Sequence, residues 1–360
     1  MALSYFNEVV GGVSELWVTD GTVLGTHVVA TFSNRPIHDL TTIGSRVFFS
    51  VDDGVHGQEL WTSDGTAAGT VLVSDINPGS GPSSPFDLTN VNGTLYFQAY
   101  DGTHGYELWK SDGTTAGTVM VDDINPGAGS SSPNNLTNVN GTLYFSASDG
   151  THGYELWKSD GTFAGTVMVA DINPGAGQSF PNDLVNVNGE LYFSAYDGVH
   201  GYELWKSDGT AAGTVMVDDI YPGANSSSPV GLTNVNGTLY FEANDGTHGY
   251  ELWKSDGTGD FNGDGHSDIL FQNTTSGQVA IWEMNGTNLI GGGVVSSDPG
   301  PTWHAIGASD FNGDGHSDIL FQNTTSGQVA IWEMNGITQI AGGSQLVGPN
   351  PGPSWHAVQT

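Results

Sequence analysis

The chain has 360 residues, among them 54 Gly, 10 Trp, 15 Phe and 12 Tyr, with 37% hydrophobic and only 12% charged residues. That balance supplies a large apolar core and many tight turns, and it excludes a disordered chain. Six Lys and Arg stand against 39 Asp and Glu, a formal charge of −33 that repels phosphate backbones and anionic lipid, so nucleic acid is not expected as a partner and bound cations are favoured.

There is no cysteine, which removes disulfides and thiolate metal sites. The opening MALSYFNEVV has no basic stretch ahead of an apolar run, and no span is long enough for a membrane helix. Three readings stay open: the protein stays inside the cell, it leaves by a route that needs no N-terminal signal, or it is a piece of a longer chain.

Glu-Leu-Trp recurs at Glu15, Glu59, Glu107, Glu155, Glu203 and Glu251, with one spacing of 44 and then four of 48. Each unit reads LTNVNG, TLYFSAYDG, THGYELWKSDGT and AGTVMVDDINPGA. These are four apolar runs punctuated by Asn-Gly, Asp-Gly and Pro-Gly turns, and they predict four short strands. From Thr94 to Tyr100, Leu95, Phe97 and Ala99 alternate with Tyr96, Gln98 and Tyr100, so both faces of the strand are largely apolar. A sheet sandwiched between neighbouring sheets fits that pattern, and four-stranded units of this length predict the blades of an all-β propeller.

After Thr258 the repeat changes to GDFNGDGHSDILFQNTTSGQVAIWEMNG, whose core returns from Asp310 to Gly336 at a spacing of 50. Units of matched length can share one ring, so residues 1–258 and 259–360 are expected to form one continuous propeller of seven or eight blades. The second strand has eight copies, from Tyr5–Phe6 to Ile319–Phe321. Trp355-His356-Ala357-Val358 matches Trp303-His304-Ala305-Ile306 and is expected to complete the N-terminal blade, which lacks a first strand, and so close the ring. About two strands are missing near 254–268, which leaves open a break there between two subdomains.

The strongest chemical signal is Asp260-x-Asn262-x-Asp264-Gly265-His266-x-Asp268, repeated as Asp310-x-Asn312-x-Asp314-Gly315-His316-x-Asp318. Side chains at the first, third, fifth and ninth positions, with the main-chain carbonyl of His266 or His316 at the seventh, can wrap the hard, oxygen-seeking calcium ion. An EF-hand would need a glutamate where Phe271 and Phe321 stand, so these are loops of another kind, expected to hold about two Ca2+ ions as rigidifying rather than catalytic elements. The alternative is a pair of metal-free turns.

Three further patterns are read as structural. His56, His104, His152, His200 and His248 each stand three residues before a Glu, in the manner of Asp101-Gly-Thr-His104-Gly-Tyr-Glu107. A hairpin tip explains that repetition better than a transition-metal or catalytic site. Trp61, Trp109, Trp157, Trp205 and Trp253 lie in strand-like runs, as do Trp303 and Trp355, where core packing is favoured over stacking on sugars. The Asp112–Thr118 stretch lacks the helix that a phosphate loop requires, and the sequons at Asn92 and Asn140 fall on turns.

GDFNGDGHSDILF resembles the FG-GAP or VCBS repeat of integrin α-chain propellers and many bacterial secreted proteins, over about residues 259–360. ELWKSDGTTAGT, Glu107–Thr118, resembles the bacterial ELWxxDGT repeat of large surface or exported proteins. The two resemblances imply an extracellular setting, with calcium ligation by Asp260, Asn262, Asp264 and Asp268 and by Asp310, Asn312, Asp314 and Asp318. They bring no catalytic residue. The calcium loop carries the FG-GAP match, because the strand entering Asp310 reads Ile-Gly-Ala-Ser-Asp-Phe. The reading that follows is a monomeric module, secreted or at the cell surface, that is not an enzyme and serves adhesion or protein interaction at a surface or in a matrix. A glycan-binding lectin ranks second. A polysaccharide-active enzyme ranks third, since it needs one asymmetric site that repetition does not supply.

Overall fold

The computed structural model describes residues 3–255 except 34, 236, 247 and 248, and residues 268–346 except 274–275, 286–287, 296–298, 310 and 312–315. Among them every regular element is a strand, and each sheet is an antiparallel meander in chain order, so the expected all-β propeller of repeated four-stranded blades is what the chain forms. The chain divides into two compact units, residues 1–199 with 206–214 and residues 200–205 with 215–360, the division running through the fifth sheet, Asn182–Val187, Glu190–Tyr196, Tyr202–Ser207 and Val215–Asp218.

In the first unit, the first sheet has three strands, Ser4–Val10, Val13–Thr19 and His27–Ser33, consistent with the expectation that its first strand is missing. The second sheet is His38–Ile43, Arg46–Asp52, Gln58–Ser63 and Val71–Ser74. The third is Phe86–Val91, Thr94–Tyr100, Tyr106–Ser111 and Val119–Asp122, and the fourth is Asn134–Val139, Thr142–Ser148, Tyr154–Ser159 and Val167–Ala170. The first strands of successive sheets lie side by side, and the LTNV residues explain why. Thr41 Oγ1 donates to the Leu88 carbonyl at 2.7 Å, Thr89 Oγ1 to that of Leu136 at 3.1 Å, and Asn138 Nδ2 back to that of Asn90 at 3.3 Å.

The period of two in Thr94–Tyr100 does what it predicts. Leu95, Phe97 and Ala99 face the second sheet, in a cluster with Phe48, Leu60 and Trp109, while Tyr96 packs with Leu143, Phe145 and Trp157 of the fourth. Burying a large apolar side chain contributes about 1.5–3 kcal/mol, so these clusters hold each sheet against its neighbours.

In the second unit, one sheet is Val230–Val235, Thr238–Asn244 and Tyr250–Ser255, the next Ile269–Gln272, Val279–Asn285 and Asn288–Val294, and the last Trp303–Ser309, Asp318–Asn323, Val329–Asn335 and Thr338–Leu346. Val279, Ile281, Ile319, Phe321 and Met334 form a buried core. Gln272 bridges the last two sheets: its Nε2 donates to the Trp303 carbonyl at 2.7 Å and its Oε1 accepts from the Ala305 amide at 2.9 Å. Most of the irregular junction at 254–268 and the closing strand at Trp355–Val358 lie outside the described residues.

The Asp-Gly-Thr-x-x-Gly-Thr stretch is the loop between third and fourth strands, and its residues are fixed by one another. Asp112 Oδ1 accepts from the Thr114 amide at 2.9 Å and from Thr114 Oγ1 at 2.7 Å. Thr114 Oγ1 in turn accepts from the Gly117 amide, and Thr118 Oγ1 donates to the Thr114 carbonyl. The Asp112 carboxylate sits against the Gly117 backbone, so that a Cβ on Gly117 would lie 2.1 Å from Asp112 Oδ1. Gly117→Ala is therefore expected to expel the carboxylate and to lower the urea midpoint, whereas Ala116→Ser on the exposed tip leaves the midpoint unchanged.

Candidate functional site

Of the ten candidate calcium ligands, Asp260, Asn262, Asp264, His266, Asp310, Asn312 and Asp314 lie outside the described residues. Asp268, His316 and Asp318 are described. Asp268 and Asp318 are both buried immediately before or at the start of a strand, Asp318 completely. The Asp318 carboxylate is held from two sides, with Oδ2 accepting from the Phe311 amide at 3.1 Å and Oδ1 from the Met334 amide at 2.9 Å. It thus joins the second residue of its loop to the strand Val329–Asn335. A carboxylate buried and aimed in this way suits the ninth position of a calcium loop, because its orientation is set before any ion arrives.

A second set of carboxylates was not singled out by sequence reasoning. Glu59, Glu107, Glu155 and Glu203, the glutamates of Glu-Leu-Trp, are all fully buried. Glu107 accepts from the Ile124 amide at 3.0 Å, from the Ser131 amide at 2.8 Å and from Ser131 Oγ. Glu155 takes the equivalent bonds from Ile172 and Ser179, Glu203 from Ile220 and Ser227, and Glu59 from Ile76, Asn77 and Ser83. Each glutamate fastens the irregular connection that leads to the next sheet. A signal was present in the sequence: in each unit a Ser stands 24 residues after the Glu. Burial pushes all four carboxyls up to about 7, against the opposing pull of the serine hydroxyl and backbone amides.

The recurring histidine sits elsewhere. Asp101 Oδ1 accepts from the Thr103 and His104 amides, and Asp101 Oδ2 meets His104 Nδ1 at 2.7 Å, with the same arrangement at Asp53–His56 and Asp149–His152. The ring closes a hairpin tip, as the sequence pattern suggests, while the Glu three residues on points to the connection. The bond from Asp101 raises the His104 pKa. Burial works to raise the Asp101 carboxyl, but the bonds from His104 outweigh it and hold the carboxyl low. His248 lies outside the described residues. Trp109 and Trp157 are buried between sheets, and Trp61 packs edge-on against Phe32 at 5.6 Å, so these rings fill the core. Among the described residues no group of three His, Asp or Glu is arranged to hold a metal.

Residues 260–321 match the family of the FG-GAP-like repeat. No curated protein matches the chain. Among solved structures, the β-propeller domain of the Trilobed protease from Pyrococcus furiosus, described as having an open velcro topology, is 12% identical, with 71% of this chain and 78% of that one covered and a TM-score of 0.44. Puromycin hydrolase is 13% identical, with 89% and 50% covered and a TM-score of 0.44, and prolyl oligopeptidase B from Galerina marginata is 11% identical, with 90% and 45% covered and a TM-score of 0.44. The chain thus spans half or less of the length of these two. The expectation that the protein is not an enzyme is corrected by these neighbours, which are a protease domain, a hydrolase and a peptidase; a fold of repeated sheets leaves the question of catalysis to the site. Among the described residues no helix is long and apolar enough to cross a membrane.

The glutamates fix a pH dependence. Their carboxyls titrate near 4.5 when unfolded and near 7 when folded, so between those values the folded chain holds more protons, and stability falls as pH rises through that interval. The raised histidines act in the same sense, because their contribution is complete below 6.5 and is lost as pH rises through their folded values. Urea midpoints are expected to be higher at pH 5 than at pH 8. Glu107→Gln is expected to flatten that slope and to lower stability at pH 5 by about 1–3 kcal/mol, since an amide group then faces backbone donors.

Proposed function

We propose that the chain is a calcium-stabilised, extracellular β-propeller that serves as an adhesion or protein-interaction module, meeting a protein or glycan at a cell surface or in a matrix. The observation that carries this reading is the FG-GAP-like match over 260–321, which contains both the Asp260–Asp268 loop and its copy, Asp310–Asp318. Asp260, Asn262, Asp264 and Asp268 would hold one ion, and Asp310, Asn312, Asp314 and Asp318 the other, with the His266 and His316 carbonyls completing each set. Bound calcium supplies charge compensation and loop rigidity. The buried, doubly anchored Asp318 supports the fit, and the formal charge of −33 gives the cation a further stabilising role.

The Glu-Leu-Trp units fit the ELWxxDGT repeat of exported proteins, and with it a monomer that is secreted or displayed at a surface. A lectin with one aromatic pocket per blade is disfavoured, because the buried Trp109 and Trp157 are not presented to a sugar.

Calorimetric titration of chelator-treated protein is expected to register about two Ca2+ ions and a raised melting temperature, both lost in the Asp264→Ala, Asp314→Ala double variant. Absence of heat and of any thermal shift would overturn the calcium reading.

A further inference from the structure

The repeat is broken at one place in the first unit, and the break is chemical as well as geometric. Eleven residues separate Ser74 from Phe86, and the corresponding stretch between Ser33 and His38 has four. That shorter connection, offset in part by a last strand three residues longer (His27–Ser33 against Val71–Ser74), gives the odd spacing of 44, and it puts Arg35 three residues before the first strand of its sheet, where the later units have Ser83, Ser131 and Ser179. Without that serine, the first glutamate of the series, Glu15, accepts from Trp17 Nε1 at 3.0 Å instead.

The same end of the second sheet departs from the third and fourth sheets in two more positions, Asp52 and Gln58, while Ser84 stands where the third sheet has Ser132. In the third sheet, Tyr100 and Tyr106 meet with ring centroids 5.5 Å apart, and in the fourth Tyr154 stacks on Phe180 at 5.5 Å. Aromatic rings therefore fill that space. In the second sheet the positions of Tyr100, Tyr106 and Phe180 are taken by Asp52, Gln58 and Ser84. A pocket opens there, lined by Arg35, His38, Asp52 and Gln58 together with Pro36 and Pro82.

The polar groups of this pocket are held in place. The Arg35 guanidinium is paired with Asp52 Oδ2, and Asp52 Oδ1 accepts from the Gly54 amide at 2.7 Å. Gln58 Nε2 donates to Ser50 Oγ at 2.9 Å, while the main-chain carbonyl of Gln58 accepts from the Ser83 and Ser84 amides. Guanidinium, carboxylate and amide are planar forks with fixed donor and acceptor directions, and the prolines add apolar surface beside them. Arg35 and Asp52 together carry no net charge. Since a hydroxyl donates and accepts at once, it can satisfy both members of the pair. A free anion meets the field of a chain with charge −33, and a free cation meets the guanidinium.

We infer that this pocket binds a neutral saccharide, through adjacent ring hydroxyls on Arg35, Asp52 and Gln58 and through the sugar's C–H face on the prolines. The site is created by one departure from the repeat, and it differs from a lectin with one tryptophan pocket per blade. It lies wholly within the first 84 residues, remote in sequence from the calcium loops, so it stands or falls independently of them.

The test uses the full chain and a panel of neutral gluco-, manno-, galacto- and xylo-oligosaccharides, with uronate oligomers as the acidic comparison, read by saturation-transfer NMR and calorimetry. At least one neutral sugar is expected to bind with a Kd of about 1 mM or tighter. The Asp52→Tyr, Gln58→Tyr variant rebuilds the aromatic pair of the third sheet, so it is expected to melt no lower than the parent while affinity falls by at least about tenfold. Arg35→Ser is expected to weaken the same sugar. Failure of every neutral sugar to bind, binding of uronates alone, or undiminished binding by the filled variant would each overturn the assignment.

Discussion

A fully buried glutamate that collects backbone amides from an irregular connection is the interaction on which the first unit depends. The Ile-Asn-Pro-Gly connections have no sheet of their own to satisfy their N–H groups, and an unpaired buried amide costs about as much as a lost hydrogen bond. Glu59, Glu107 and Glu155 supply the acceptors, and in doing so they fix where the next sheet begins. The hydroxyls of Thr41, Thr89 and Thr137 then lock adjacent first strands together, and the clusters around Phe97 and Phe145 bury what lies between. Near-identical units follow from this, since each glutamate needs its own serine at a fixed distance along the chain.

The second repeat type meets the same need with other groups. It lacks Glu-Leu-Trp, and there Asp318 gathers the Phe311 and Met334 amides while Gln272 bridges one sheet to the next. The glutamate is pushed towards neutrality by burial, and the aspartate belongs to a loop rich enough in oxygen ligands for a divalent cation to take over the compensation. If calcium binds as proposed, the two repeat types differ in whether a proton or a calcium ion offsets the charge that the fold buries.

Much of this was legible in the sequence. The period of two in Thr94–Tyr100 and the Asn-Gly and Asp-Gly turns gave the strands, and the His104 tip and the packing of Trp109 behave as their positions suggest. Glu107 was hidden because a charged residue in an apolar run reads as a surface position until its partner, Ser131, is brought next to it by the fold. Enzymatic activity could not be judged from repetition, because a repeat says nothing about what one unit does where it departs from the rest. Arg35, Asp52 and Gln58 mark such a departure, and it becomes visible only when Tyr100 and Tyr106 are seen touching in the next sheet.

Hydrogen exchange followed by mass spectrometry, with and without calcium at constant pH, tests the division of labour most directly. Calcium is expected to slow exchange in the segment from Asp318 to Asn335, where the Met334 amide is bound to Asp318, and to leave the glutamate-fastened connections at 123–133 and 171–181 unchanged. Equal protection throughout the chain, or none in either segment, would contradict it.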